Sequence, residues 1–238
     1  MVLSFLAAGY SASAEAQEGG FFGPDQGFEI QPEVDAYYHV DETLRLLLQV
    51  QSTFIPSEDF SSVAVGGFAD WFIVPLARTL LSPDIGKTRA LNIRVGARYL
   101  QTIDPGTVGT SNVFALQLDL TPRYFLPWGI LATNRNRFQA RWTVSSNDAF
   151  SFRFRDRLEL EREFEIGKVG LTPFANVEWF WQSPPAMWTQ FRMEAGLQCS
   201  FGGLGRGQII EVNYTTLTNL QPSRSWRPVL GVVWYVFF

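Results

Sequence analysis

The sequence predicts an all-β fold, a transmembrane antiparallel up-and-down β-barrel, with twelve strands expected and ten as the second choice. Three observations predict it. Residues 150–166 place Phe150, Phe152, Phe154, Leu158, Leu160, Phe164 and Ile166 on one parity, and Ser151, Arg153, Arg155, Arg157, Glu159, Glu161, Glu163 and Glu165 on the other. Only a strand sorts side chains with period two, and a charged face backed by a large apolar face suits a wall between hydrocarbon and a polar lumen. Apolar residues make up 46% of the chain and aromatics 15%, yet every long apolar stretch past the N-terminus is interrupted. A membrane helix needs about 20 consecutive apolar residues, so strands must do the crossing. Finally, Leu230, Val232, Trp234, Val236 and Phe238 form an alternating apolar row at the C-terminus.

Taken in order, residues 1–16 read as a signal peptide. Val2 to Ala8 is apolar, and Ala14, Glu15 and Ala16 form an A-x-A cleavage pattern. The basic n-region is missing, which a truncated start explains better than an N-terminal anchor. Residues 17–27, rich in Gly, Glu and Gln, form a flexible lead-in. The remainder, 28–238, is one barrel domain. Strands are expected at 28–38, 43–54, 63–76, 89–102, 112–125, 130–144, 149–166, 169–182, 188–201, 208–220 and 226–238. These are eleven, whereas bacterial single-chain barrels use even numbers. The twelfth is sought between Pro75 and Thr88 or in the lead-in.

Turn lengths set the register. A two-residue turn at Gly167 and Lys168 puts Ile166 opposite Val169, Arg157 opposite Glu178 and Glu159 opposite Asn176. A turn at Ser145 to Asn147 sets Phe138 against Phe154 and Asn136 against Asp156 outside, with Arg137 against Arg155 and Arg135 against Arg157 inside. Like charges directly opposed are destabilising, so carboxylates must come from elsewhere round the barrel. Asp119, Glu178, Glu194 and Glu211 are the candidates, with Glu33, Asp35 and Asp70 from the early strands. Asp119 can reach Arg135 or Arg137 across the turn at Pro127 to Gly129. Arg94, Arg98, Arg123, Arg141 and Arg192 complete a lattice of guanidinium and carboxylate groups, tolerable in a partly dehydrated interior only when paired. With seventeen Arg against two Lys, Lys87 and Lys168, the basic residues favour such close, fixed pairing.

On the outward parity, Asp156 breaks the apolar pattern; a bulge, an interfacial depth or Asn136 can relieve it. Trp71, Trp128, Trp142, Trp179, Trp181, Trp188, Trp226 and Trp234 fall near strand ends and suit interfacial girdles. Cys199, alone, excludes an internal disulfide and reads as inert wall packing.

The segments Arg135-Asn136-Arg137, Arg153 to Glu161 and Leu171 to Glu178 resemble an uncharacterised bacterial family, domain of unknown function 2490. Its pattern has a paired Asn-Arg motif, a strand of the form Y-R-x-R-N-R-L-x-L-E, then a Pro-aromatic and Glu strand. The resemblance extends to Asp70-Trp71-Phe72, Arg94 to Tyr99 and Phe191 to Gly196. Asp156 stands where that family has Asn. The resemblance implies an outer-membrane barrel in a bacterial envelope and no known reaction. Trp234, Val236 and Phe238 likewise look like the terminal signal read by barrel-assembly machinery.

No G-x-S-x-G, P-loop or metal-ligand cluster is present, so no cofactor or metal is expected. Gly202, Gly203, Gly205 and Gly207 belong to a turn. His39, with Asp41 and Glu42 beside it, is expected in a solvated turn after the first strand. A net charge of -4 is too mild to imply a nucleic-acid partner. Outer-membrane lipid and lipopolysaccharide are the expected surroundings; oligomeric state is not legible. The functional expectation is an outer-membrane barrel with a charged, largely filled lumen. The alternatives are a narrow anion-biased channel and, third, a rim-located hydrolase using His39 and acidic residues.

Overall fold

In the computed structural model, described over residues 28–55, 60–76, 83–103, 111–144, 149–184, 186–203, 206–220 and 226–238, one sheet curls until its first and last strands meet. The strands are β1 (Glu29–His39), β2 (Leu44–Ile55), β3 (Phe60–Pro75), β4 (Arg89–Ile103), β5 (Ser111–Phe125), β6 (Ile130–Val144), β7 (Ala149–Arg162), β8 (Phe164–Ile166), β9 (Val169–Ser183), β10 (Met187–Gly203), β11 (Arg206–Asn219) and β12 (Trp226–Phe237). A 3-10 helix, Ile85–Thr88, precedes β4 and another, Pro127–Gly129, precedes β6. The expected signal peptide and lead-in lie outside the described residues.

Twelve strand segments are present, but the twelfth is not where it was sought. Three-residue β8 continues β7 past Glu163 in unbroken register, since Arg157 faces Glu178 and Ile166 faces Val169 along the same neighbour. The described part of the stretch before Thr88 is helical, not extended. The wall therefore has eleven full strands. An odd number brings the first and last strands together pointing the same way, so β1 and β12 close the barrel as a parallel pair, Glu33 against Val233 and Tyr37 against Phe237. Every other pairing is antiparallel.

Alternation dictates the rest. Leu46, Leu48, Val50, Val63, Val65, Val95, Tyr99, Phe114, Leu116, Leu118, Leu158 and Leu160 face outward and are exposed, whereas Arg45, Asp70, Asp119, Arg137, Arg155 and Glu178 face inward and are buried. Such a protein is inverted relative to a water-soluble one, with its apolar surface on the outside where lipid can cover it. Trp71, Trp128 and Trp234 ring the mouth nearest Phe238. Trp142, Trp179, Trp181, Trp188 and Trp226 ring the mouth nearest Glu29, forming the two girdles expected.

All six register pairs derived from turn length, and the turn pair Ile166 with Val169, are observed. Small residues let large ones turn inward: a Cβ on Gly96 would lie 2.3 Å from the Phe68 ring and 2.3 Å from the Gly67 carbonyl oxygen. Phe68, with Tyr37, Leu47, Ile209 and Phe237, forms an apolar floor inside the Phe238 mouth.

Candidate functional site

Cross-strand register gathers the inward charges into rows. Arg45, Asp70, Arg94, Asp119, Arg137 and Arg155 stand side by side from β2 to β7. Within this row Asp70 accepts from Arg45 Nη2 at 2.7 Å and from Arg94 Nε at 2.6 Å, and Asp119 accepts from Arg137 Nη2 at 3.0 Å. Arg45 is also clasped by rings, its guanidinium carbon 4.1 Å from the Tyr37 centroid and 4.9 Å from that of Phe72. Sequence reasoning missed Arg45, because Leu47 interrupts the alternation around it.

A second row runs Arg135, Arg157, Glu178 and Arg192 across β6, β7, β9 and β10. Glu178 does face Arg157, yet its charged partners are others: Arg155 at 3.0 Å, Arg135 at 3.3 Å and, more distantly, Arg192 at 3.9 Å. Arg157 instead bonds Glu159, two residues along its own strand and hence on the same face, and lies 3.8 Å from Glu194. Three guanidinium groups already surround Glu178, which leaves the fourth to find carboxylates beside it. Glu194 takes Arg192 at 2.7 Å. Arg153 donates to Gln182 at 2.9 Å, and Arg141 is buried on the inward face. All of these side chains stand on the inward parity of their strands.

Residues 83–88, which precede β4, lie inside the Phe238 mouth. Asp84 accepts from Arg45 Nη1 of β2 at 2.6 Å, and Lys87 Nζ donates to Glu161 of β7 at 2.6 Å and to Gln198 of β10 at 2.8 Å. Pro83 is fully buried; the Cβ a side chain at Gly207 would need lies 3.2 Å from it. Residues 83–88 thus touch opposite sides of the cylinder and act as a stopper. Burial pushes the Asp84 carboxyl up, but Arg45, Lys87 and Arg123 outweigh it and hold it below the ordinary carboxylate range. Burial likewise opposes the Lys87 ammonium, and Glu161 more than restores it, so the net shift is upward. None of these contacts was anticipated, since the stretch has no period to read.

Above the stopper a cavity of about 290 Å³ remains. Its wall changes chemistry around the cylinder. The side formed by β4 to β7 presents Arg94, Arg98, Arg123, Arg135, Arg137 and Arg157 interleaved with Asp119, Glu159 and Glu161, whereas β1 and β11 present Glu33, Asp35 and Glu211. Those three carboxylates accept from neutral donors. Gln49 Nε2 reaches Glu33 at 2.9 Å, the Tyr37 hydroxyl reaches Asp35 at 3.1 Å, and Glu211 receives Gln198 at 2.8 Å, Asn213 at 2.7 Å and the Tyr235 hydroxyl at 2.9 Å. At the Glu29 mouth, Arg227 and Glu29 form a fully buried pair at 3.2 Å.

Outside, Asp156 is relieved by Asn134, whose Nδ2 donates at 2.7 Å; Asn136, the expected partner, donates to Asn134 at 2.6 Å. Asn136 is the residue directly opposite Asp156, whereas Asn134 faces Leu158 and reaches the carboxylate on the diagonal, two residues along β6. His39 ends β1 rather than standing in the turn, with its ring 6.3 Å from that of Phe237. Asp41 holds the turn instead, accepting from the Thr43 and Leu44 amides at 2.6 and 2.9 Å, and these bonds keep its exposed carboxyl below the usual range. Gly202 and Gly203 end β10 and Gly207 stands in β11, so the strands run further than the expected glycine turn; Gly202 faces Gly207 at φ of 103° and 153°, and Gly205 lies outside the described residues. Cys199 lies on the outward parity, partly buried. Trp234, Val236 and Phe238 line the outer side of the seam, where the Phe238 amide donates to Tyr37 O at 2.9 Å.

No family model and no curated protein matches the chain. Among solved structures, the beta domain of the Bordetella autotransporter Brka is similar at a TM-score of 0.47 and 16% identity, over 81% of this chain and 83% of that one.

Proposed function

We propose that this is an outer-membrane β-barrel whose lumen is stoppered at the Phe238 mouth, leaving a charged vestibule rather than a through-pore. The observation behind this reading is Lys87, which joins the stopper to β7 and β10 on the side away from the Asp84 anchor on β2. Outer-membrane lipid and lipopolysaccharide cover the apolar exterior between the tryptophan girdles, and Trp234, Val236 and Phe238 serve the assembly machinery. Kinship with the family of domain of unknown function 2490 rests on the residues quoted above. Planar-bilayer recordings of purified protein test the proposal: the wild type is silent, and Lys87→Ala combined with Asp84→Ala conducts. Steady wild-type steps would overturn it.

A second reading is supported by the arginines of β4 to β7: once the stopper is displaced, the lumen passes small anions. Its steps should lose anion preference in Arg155→Ala with Arg137→Ala. For a rim hydrolase the structure offers only His39, whose ring nitrogens have no hydrogen-bond partner among the described residues. A screened hydrolytic activity lost in His39→Ala is what that reading requires.

A further inference from the structure

We infer that the outward face of β6 and β7 is a self-association surface, on which a second copy of this chain docks through Asn134, Asn136 and Asp156. Depth is the starting point. From Asp156 the cross-strand row passes β6, β5 and β4 to reach Trp71 on β3, and β9, β10 and β11 to reach Trp226 on β12, four rungs each way. Those two tryptophans belong to opposite girdles. On β6 itself, Asn134 lies six residues after Trp128 and Asn136 six residues before Trp142. The polar group therefore stands midway through the hydrocarbon, away from headgroups and water. Among the described residues, Asp156 is the one charged side chain that faces outward away from the strand ends.

Within one chain the group is only partly satisfied. Asn134 uses both amide hydrogens, on the Asp156 carboxylate at 2.7 Å and on the Arg157 carbonyl oxygen at 3.3 Å, and Asn136 uses one, on Asn134 Oδ1 at 2.6 Å. One Asn136 N–H, its Oδ1 and the second Asp156 oxygen have no partner among the described residues. All three side chains are half-buried, so these atoms can be met from outside. Lipid tails offer no donor, and polar groups at mid-membrane are costly unless other polar groups meet them. A second copy supplies what is missing. Two chains inserted the same way are related by a two-fold axis along the membrane normal, so each residue meets its counterpart at equal depth. The remaining Asn136 N–H of each copy can then donate to the remaining Asp156 oxygen of the other, which places an amide between the two carboxylates. A surface with one spare donor beside spare acceptors is self-complementary. Phe138 and Phe154, with ring centroids 5.0 Å apart, and exposed Leu158 and Leu160 frame the group with apolar surface that closes over these bonds.

The inference rests on the membrane placement of the wall and not on the stopper, so a silent or a conducting lumen leaves it unchanged. Sedimentation equilibrium of the full chain in density-matched detergent micelles is expected to show reversible exchange between monomer and dimer. Asn136→Leu, alone or with Asp156→Leu, should weaken the dimer by about tenfold or more. Both variants should keep heat-modifiable mobility, because leucine suits a lipid-facing wall. Asp156→Asn can donate to the Asn136 Oδ1 of the other copy and should hold the dimer within about threefold of the wild type. A wild type that is monomeric at every protein-to-detergent ratio overturns the inference, as does a trimer or larger ring. Undiminished association in either folded leucine variant also overturns it, since the contact then lies on another face. So does a monomeric chain that co-purifies from native membranes with a different protein, which would assign the polar group to that partner.

Discussion

On the arc from β3 to β10, Asp70, Asp119, Glu161, Glu178 and Glu194 each meet a guanidinium or ammonium group, and Glu178 receives two at 3.3 Å or less. On the arc from β11 to β1, Glu33, Asp35 and Glu211 face the same lumen yet accept hydrogen bonds only from amides and phenols. The same residue type therefore has two meanings inside one cylinder. Where charge answers charge, deleting one partner strands the other in a dehydrated interior; where neutral groups answer, the carboxylate can change without leaving a buried cation behind.

Substitutions can break or sharpen this contrast. The largest effect is expected from Glu178→Ala, which removes the anchor of Arg155 and Arg135 and should cost about 3–5 kcal/mol in urea unfolding followed by tryptophan fluorescence. A loss below about 1 kcal/mol would erase the distinction between the arcs. Next comes the stopper, held by charge at both ends. The folded Asp84 carboxyl lies low, so its contribution is present above an unfolded value of about 3.9 and disappears as pH falls through the folded one. The folded Lys87 ammonium lies high, so its share persists up to about pH 10.4 and is lost as pH rises through the folded value. Acidification below the carboxylate range should therefore destabilise the wild type by about 1.5–3 kcal/mol more than Asp84→Asn, read from urea midpoints across pH. An identical pH profile for both would remove Asp84 from the latch. Smaller still, Asp156→Asn should raise stability by about 1 kcal/mol, since it takes a carboxylate out of the apolar exterior while keeping an acceptor for Asn134. The smallest change is expected for Glu211→Gln, no more than about 0.5 kcal/mol in urea unfolding; a loss like that of Glu178→Ala would erase the distinction between the arcs.

The wall was legible in the sequence because alternation and turn length are local. Gly167 and Lys168 alone fix Arg157 opposite Glu178, and parity alone turns Arg153, Arg155 and Glu161 inward. What failed was reach. A guanidinium spans more than one rung, so facing Glu178 did not make Arg157 its partner. Lys87 and Asp84 lie in an aperiodic stretch whose purpose appears only when the cylinder closes around it. The seam was hidden for a related reason: an eleven-strand count reads as an error until the ends of the sheet are seen to run in the same direction.

That seam has a consequence for assembly. Hairpins can add one after another, each zipping onto its predecessor, but the parallel contact joins strands from opposite ends of the chain and must form last. Its formation sets Glu33 and Glu211 on either side of Val233, so the final stitch of the cylinder is made against like-charge repulsion. Whatever proton or cation quiets that repulsion also fastens the staves, which makes the maturation of this barrel a chemical event as much as a geometric one.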